Sequence, residues 1–153
     1  EEYKDPIYGL PAHWAPNDLL FYSGDMFPER YKNGAFIAFH GSTNRSPYPQ
    51  AGYVVGFIPF SDGLPSGKLE IFADGFAQVE VIKEMKDAKY RPMGLAEGPD
   101  GSLYISDSKK GKIWRVLYTA DKASFSDENL KEMELREYLP HIKTPNEFED
   151  IVK

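Results

Sequence analysis

Three short stretches carry residue types that could do chemistry. The first, His40-Gly41-Ser42-Thr43-Asn44-Arg45, leaves an apolar run as a polar, flexible cluster. Gly, Ser, Asn and Arg at a strand end can offer backbone and side-chain donors to an anionic ligand. They can equally satisfy the carbonyls of a polar turn. The second, Lys89-Tyr90-Arg91-Pro92, brackets an aromatic ring with two cations. A residue before proline favours extended backbone, and alternation then sets Lys89 and Arg91 on one face. Such a pair could grip a carboxylated aromatic ligand, or be a solvated charge pair ahead of a strand. The third, Ala12-His13-Trp14-Ala15-Pro16, sets a histidine beside a tryptophan. That imidazole is either packed and hydrogen-bonded or turned into a pocket. His141, next to Pro140, reads as incidental.

Other chemistries find no support. Cysteine is absent, which removes disulfides, thiolate zinc sites, iron–sulfur clusters and cysteine nucleophiles. The three histidines have no short metal-ligand spacing, so no metal site is expected within the chain. No GxSxG elbow, phosphate-binding loop, EF-hand or dinucleotide fingerprint occurs. A complete catalytic machine is not legible, and no catalytic residue is assigned.

The elements that must position these clusters are short. The 153 residues are 41% hydrophobic and 27% charged, as in one ordinary globular domain. A net charge of -6 argues against binding to nucleic acid. No apolar run approaches the ~18 residues of a spanning helix. Aromatic residues reach 14%, with 13 Gly and 12 Pro, a mixture suited to a β protein with many turns. Strands are predicted at Asp18–Ser23, Ala35–His40, Tyr53–Phe60, Leu69–Ala73, Met93–Glu97, Ser102–Asp107 and Lys112–Tyr118. The breaks between them (SGD, KNG, SDGLPSG, GPDG, KKG) are strong turn formers, so the region reads as an antiparallel meander.

A weak repeat runs through this pattern. Gly34–Gly41 resembles Gly101–Ser108, and the strands that follow open at Gly52 and Gly111. A unit of about 60 residues holds four strands, the scale of a propeller blade. Two similar hairpins in a sandwich would give the same pattern. At this spacing the chain supplies about two and a half blades, whereas a closed propeller needs at least four. The chain is therefore expected to be part of a longer one, or to self-associate through exposed strand edges. Past residue 120 a helix is predicted from Ser126 or Asp127 to Leu139, ended by Pro140. The box Thr144-Pro145-Asn146-Glu147 predicts a second short helix.

Taken together, AHWAPNDLLFYSGDMFP, GAFIAFHGSTNR, AGYVVGFIPF and YRPMGLAEGPDGSLYISDSKKGKIWRV resemble the glucose/sorbosone dehydrogenase family, in its sorbosone dehydrogenase branch. Those are soluble sugar dehydrogenases that use pyrroloquinoline quinone (PQQ). The resemblance covers roughly Pro11 to Tyr118. It implies an all-β fold, antiparallel four-stranded blades of a six-bladed propeller, with residues 1–120 as C-terminal blades and 121–153 as a helical extension. It implies oxidation of a sugar hydroxyl or aldehyde hydrate, with transfer to the quinone. Arg91 and Lys89 would meet PQQ carboxylates, and Asn44, Arg45 and His13 would stand around the pocket. Thr43 occupies a position that is commonly tryptophan in that branch.

The same resemblance places the histidine base and the calcium ligands upstream of Glu1, since none of His13, His40 or His141 matches that base. The isolated chain is accordingly expected to be inactive. The implied partners are a sugar, an electron acceptor (cytochrome or quinone) and the rest of the propeller, with neither nucleic acid nor membrane span. The implied setting is the bacterial periplasm or exterior, with an export signal expected upstream or already removed. Two rivals stand beside this reading: a non-catalytic propeller that binds carbohydrate or protein, and a self-sufficient small β domain.

Overall fold

The computed structural model describes residues 3–134 and 139–143. The described residues contain nine strands: β1 (Pro16–Phe21), β2 (Ala35–Phe39), β3 (Val54–Ile58), β4 (Phe60–Ser61), β5 (Leu64–Pro65), β6 (Glu70–Ala73), β7 (Pro92–Glu97), β8 (Leu103–Asp107) and β9 (Ile113–Val116). One α-helix among the described residues, α1, spans Asp127–Glu134. Every strand pairing is antiparallel. The first sheet has the order β1-β2-β3-β6, the second β7-β8-β9, and β4 with β5 forms a separate hairpin. The all-β, antiparallel fold expected from the turn-punctuated apolar runs is the fold the chain adopts. The described strands make one four-stranded and one three-stranded sheet, and these residues close no barrel.

The weak repeat has a structural counterpart. Gly34–Gly41 contains β2 and Gly101–Ser108 contains β8, and each is the second strand of its sheet. Gly52 and Gly111 precede the third strands β3 and β9, both with left-handed backbone (φ 87° and 68°). The predicted strand Tyr53–Phe60 is cut at Pro59. Proline has no N–H for the ladder, so β3 stops at Ile58 and the chain re-enters as the β4–β5 hairpin across Asp62-Gly63. The segment SDGLPSG, predicted to be a break, thus includes a short hairpin of its own.

Both faces of the first sheet are covered, which is why β2 and β3 are apolar at every position and wholly buried. Successive side chains of a strand point to opposite faces. Phe36, Val55 and Phe57 take one face and pack with Tyr22, Phe27 and Tyr31, and with Leu103 and Ile105 of the second sheet. Ile37, Phe39, Val54 and Ile58 take the other, under Trp14, Ile71 and Ile142. Each such buried side chain contributes about 1.5–3 kcal/mol, so this double layer dominates the stability.

The two sheets also meet along their first strands. Asn17 Nδ2 donates to Met93 Sδ (3.0 Å), Leu95 N to Asp18 Oδ2 (2.7 Å) and Ser23 N to Glu97 Oε2 (2.8 Å). Both sets of numbers rise together, so β1 and β7 run side by side in the same direction.

The C-terminal region follows the expectation only in part. Helix α1 starts where a Ser126/Asp127 cap predicts, with Ser126 N donating to Asn129 Oδ1 (3.0 Å). The remainder toward Leu139 and the second predicted helix lie outside the described residues. His141 is far from incidental. It is buried, its Nε2 lies 2.9 Å from Asp74 Oδ1, and its carbonyl accepts from Gly52 N (2.8 Å). These bonds tie residues 139–143 to the first sheet. Among the described residues, no helix is long and apolar enough to cross a membrane.

Candidate functional site

A pocket of about 440 Å³ opens where the end of β2 meets the start of β7; its wall includes His13, His40, Ser42, Thr43, Asn44 and Arg91. Its backbone is set by an unusual local conformation. His13 and Ala15 are left-handed (φ 65° and 51°), which lets Trp14 O accept from Gly41 N and Ala15 O from His40 N, both at 2.9 Å. Gly41 is itself left-handed (φ 89°), and a Cβ there would stand 2.4 Å from the Tyr53 ring. Only glycine fits that crossing. Ser42 is an internal hub: its Oγ donates to Gln50 Oε1 (2.6 Å) and accepts from Ala51 N (2.9 Å), and its carbonyl takes the Tyr53 hydroxyl.

Arg91 joins the two sheets at the base of this pocket. Its Nε donates to His40 O (3.0 Å) and its Nη2 to Gly41 O (2.6 Å), while its guanidinium lies 5.3 Å from the Tyr53 ring centroid. No carboxylate pairs with it among the described residues. Burial lowers its pKa from the ordinary arginine value, an effect that the nearby Tyr53 opposes, and it is still a cation near neutrality. His40 lines the same pocket, with Nε2 2.7 Å from Ser108 Oγ. Burial first, and the Arg91 charge second, hold its imidazole below the ordinary 6.5, against an opposing pull from Asp107. Asn44 Oδ1 accepts from Ser46 N (3.2 Å), and its amide nitrogen has no partner among the described residues. The arrangement offers an anion a partly desolvated cation, an amide donor and a neutral imidazole.

The structure brings together three of the five residues singled out from sequence: His13, Asn44 and Arg91. Arg45 turns away. It is buried, with Nη1 donating to Pro49 O (3.2 Å) and Nη2 to Lys143 O. Lys89 does not share a face with Arg91. Its side chain lies on another groove, 5.3 Å from the Tyr90 ring centroid. The reason is that Lys89 N and Tyr90 N bond Ala77 O and Phe76 O, whereas Arg91 N bonds Asp107 Oδ1. The segment changes partner between the two cations, so simple alternation fails. Sequence reasoning named His40 only as part of its cluster and missed Ser108 as its neighbour. His40 at least opens the polar cluster, whereas Ser108 sits in a turn with no distinguishing signal.

Comparison with known proteins places these features in a family. Residues 1–119 match the model of the TrAA12-like family. A Borreliella burgdorferi protein described as uncharacterized is 37% identical over 113 residues, which cover 73% of this chain and 28% of that protein. Calcium and iodide structures of the Trichoderma reesei carbohydrate-active enzyme of family AA12 are 25% identical, cover 67% of this chain and 24% of theirs, and superpose with a TM-score of 0.45. The chain thus spans about a quarter of the length of these relatives.

The family match overturns the resemblance to the soluble glucose/sorbosone dehydrogenases, because residues 1–119 include all four stretches on which that resemblance rested. The geometry explains why those motifs do not single out a branch. The arginine of YRP grips the carbonyls of the HG pair, and GPDGS closes a turn in which Gly98 N bonds Ser102 O (2.8 Å). The first stretch is a requirement of joining two sheets and the second of closing the β7–β8 turn.

Proposed function

The chain belongs to the TrAA12-like family, and from that premise we propose that it is part of a carbohydrate oxidoreductase using PQQ. The AA12 enzymes form a PQQ-dependent oxidoreductase family. The observation that carries the reading is the guanidinium of Arg91. It is a pocket-facing cation without a carboxylate partner among the described residues, in a chain of net charge -6.

The residues present fit the carboxylate edge of such a group. PQQ bears three carboxylates on a planar frame, and planar guanidinium groups suit carboxylates. Arg91 spends Nε and Nη2 on backbone carbonyls and keeps Nη1 for a ligand. Asn44 adds an amide donor, and His13 closes the rim. A volume near 440 Å³ lies within the range of cofactor pockets. Thr43 supplies no aromatic face to this pocket.

When bound, the quinone would supply the two-electron acceptor for oxidation of a carbohydrate hydroxyl. This chain's own contribution is binding and orientation. His40, held neutral, can take up a proton at Nδ1 while Ser108 steadies Nε2. The principal base, the calcium ligands and the contacts to sugar and electron acceptor would come from the rest of the protein. Residues 1–120 would form blades of its propeller, residues 121–153 an extension, and the setting would be periplasmic or secreted.

The test is a PQQ titration of the native protein in the presence of calcium. Replacing Arg91 by Ala removes a charged hydrogen bond and is expected to weaken binding about 10- to 100-fold. Asn44→Ala, which leaves the sheet junction intact, is expected to weaken it about threefold or more. Absence of PQQ binding, or affinity unchanged in both variants, overturns the reading.

A further inference from the structure

A second groove of about 410 Å³ lies between the loop after β6 and the strand β9, away from the pocket of Arg91. Its floor is aromatic. Trp114 meets Phe76 and Tyr90 edge to face, with centroids 5.0 and 5.2 Å apart. Two ammonium groups stand over this floor: Lys89 Nζ is 5.3 Å from the Tyr90 centroid, and Lys112 Nζ is 5.2 Å from it and 5.5 Å from that of Trp114. Both lysines are exposed, and neither pairs with a carboxylate among the described residues. The acid of this groove, Asp74, faces His141 instead.

A cation over an aromatic ring is positioned without being neutralised. The groove therefore combines two placed, uncompensated positive charges with an aromatic floor, and Gln78 adds an amide at its edge. A ligand that satisfies all three features carries carboxylates beside an apolar ring face.

We propose that this groove binds an acidic saccharide, with uronate carboxylates held by Lys89 and Lys112 and the sugar's C–H face against the aromatic floor. The choice of a saccharide among carboxylates rests on the carbohydrate reading above; the cationic, aromatic character of the site does not. Such a site would hold the protein on an acidic glycan while the Arg91 pocket stays open.

Calorimetric titration of the native protein tests this with three probes: trigalacturonate, neutral cellotriose and benzoate. Trigalacturonate is expected to bind with a Kd near 1 mM or below, and more weakly as salt is raised. The double variant Lys89→Ala/Lys112→Ala, changed only at exposed side chains, is expected to lose at least about tenfold in affinity. Absent binding, equal binding of cellotriose, tighter binding of benzoate, or an unaffected double variant each overturns the proposal. The readout needs neither quinone nor turnover. Trigalacturonate binding without PQQ binding would sink the oxidoreductase reading and spare the groove; the reverse result would sink the groove alone.

Discussion

Arg91 Nη2 donates to the carbonyl of Gly41 at 2.6 Å, across the junction of two sheets. With Nε on His40 O at 3.0 Å, one side chain fixes the loop that forms the pocket wall. Arg91→Lys keeps the charge and loses the planar fork. We expect it to cost about 2–3 kcal/mol, because the freed carbonyls are shielded from water. Urea denaturation measures this, and a loss below about 0.5 kcal/mol would contradict the role assigned to the fork.

Gly41 tests the crossing beneath that fork. Gly41→Ala puts a Cβ into the ring of Tyr53 at a left-handed position (φ 89°). The expected cost is about 2–4 kcal/mol from strain and overpacking together. A melting temperature equal to that of the parent would mean that the loop re-forms elsewhere.

Tyr22 links the sheets at their other end. Its buried hydroxyl donates to Gly101 O (2.7 Å) and accepts from Met26 N (3.0 Å) and Phe27 N (3.2 Å). Tyr22→Phe leaves one carbonyl and two N–H groups to find new partners, at an expected cost of about 2 kcal/mol. Hydrogen exchange at the amides of Met26 and Phe27 should accelerate; unchanged protection would show that water already serves them.

His40 sets the pH response of the pocket. Its folded-state pKa lies below the unfolded 6.5, so the unfolded chain binds the proton more readily. The stability tied to the neutral imidazole is complete above pH 6.5 and is lost as pH falls through the folded value. An NMR titration of the ring should give a midpoint below 6.5. A midpoint at or above it would place Asp107, not burial and Arg91, in control.

Much of the fold was legible because turn and strand residues act locally. Asp100-Gly101 and Lys110-Gly111 mark their turns, and β2 and β8 lie within the residues predicted for them. The β4–β5 hairpin was not legible, since two-residue strands carry no periodicity. Nor was the role of His141, whose partner Asp74 is brought to it only by the folded chain. At the site, residue types were informative and directions were not. Arg91 and Lys89 are both cations two positions apart, yet their backbones take different partners and their side chains different cavities. Arg45 looked like a ligand for the same reason, and the carbonyls of Pro49 and Lys143 claim it.

The shared guanidinium has a thermodynamic consequence. Arg91 makes the pocket and holds the sheets in register with the same group, so an anion seated there acts as a third strut at that joint. Occupancy and sheet docking are then linked by mass action: at a hundredfold excess over Kd, a ligand would add about 2.7 kcal/mol against separation of the sheets. Heat resistance of the protein becomes a gauge of how full its pocket is.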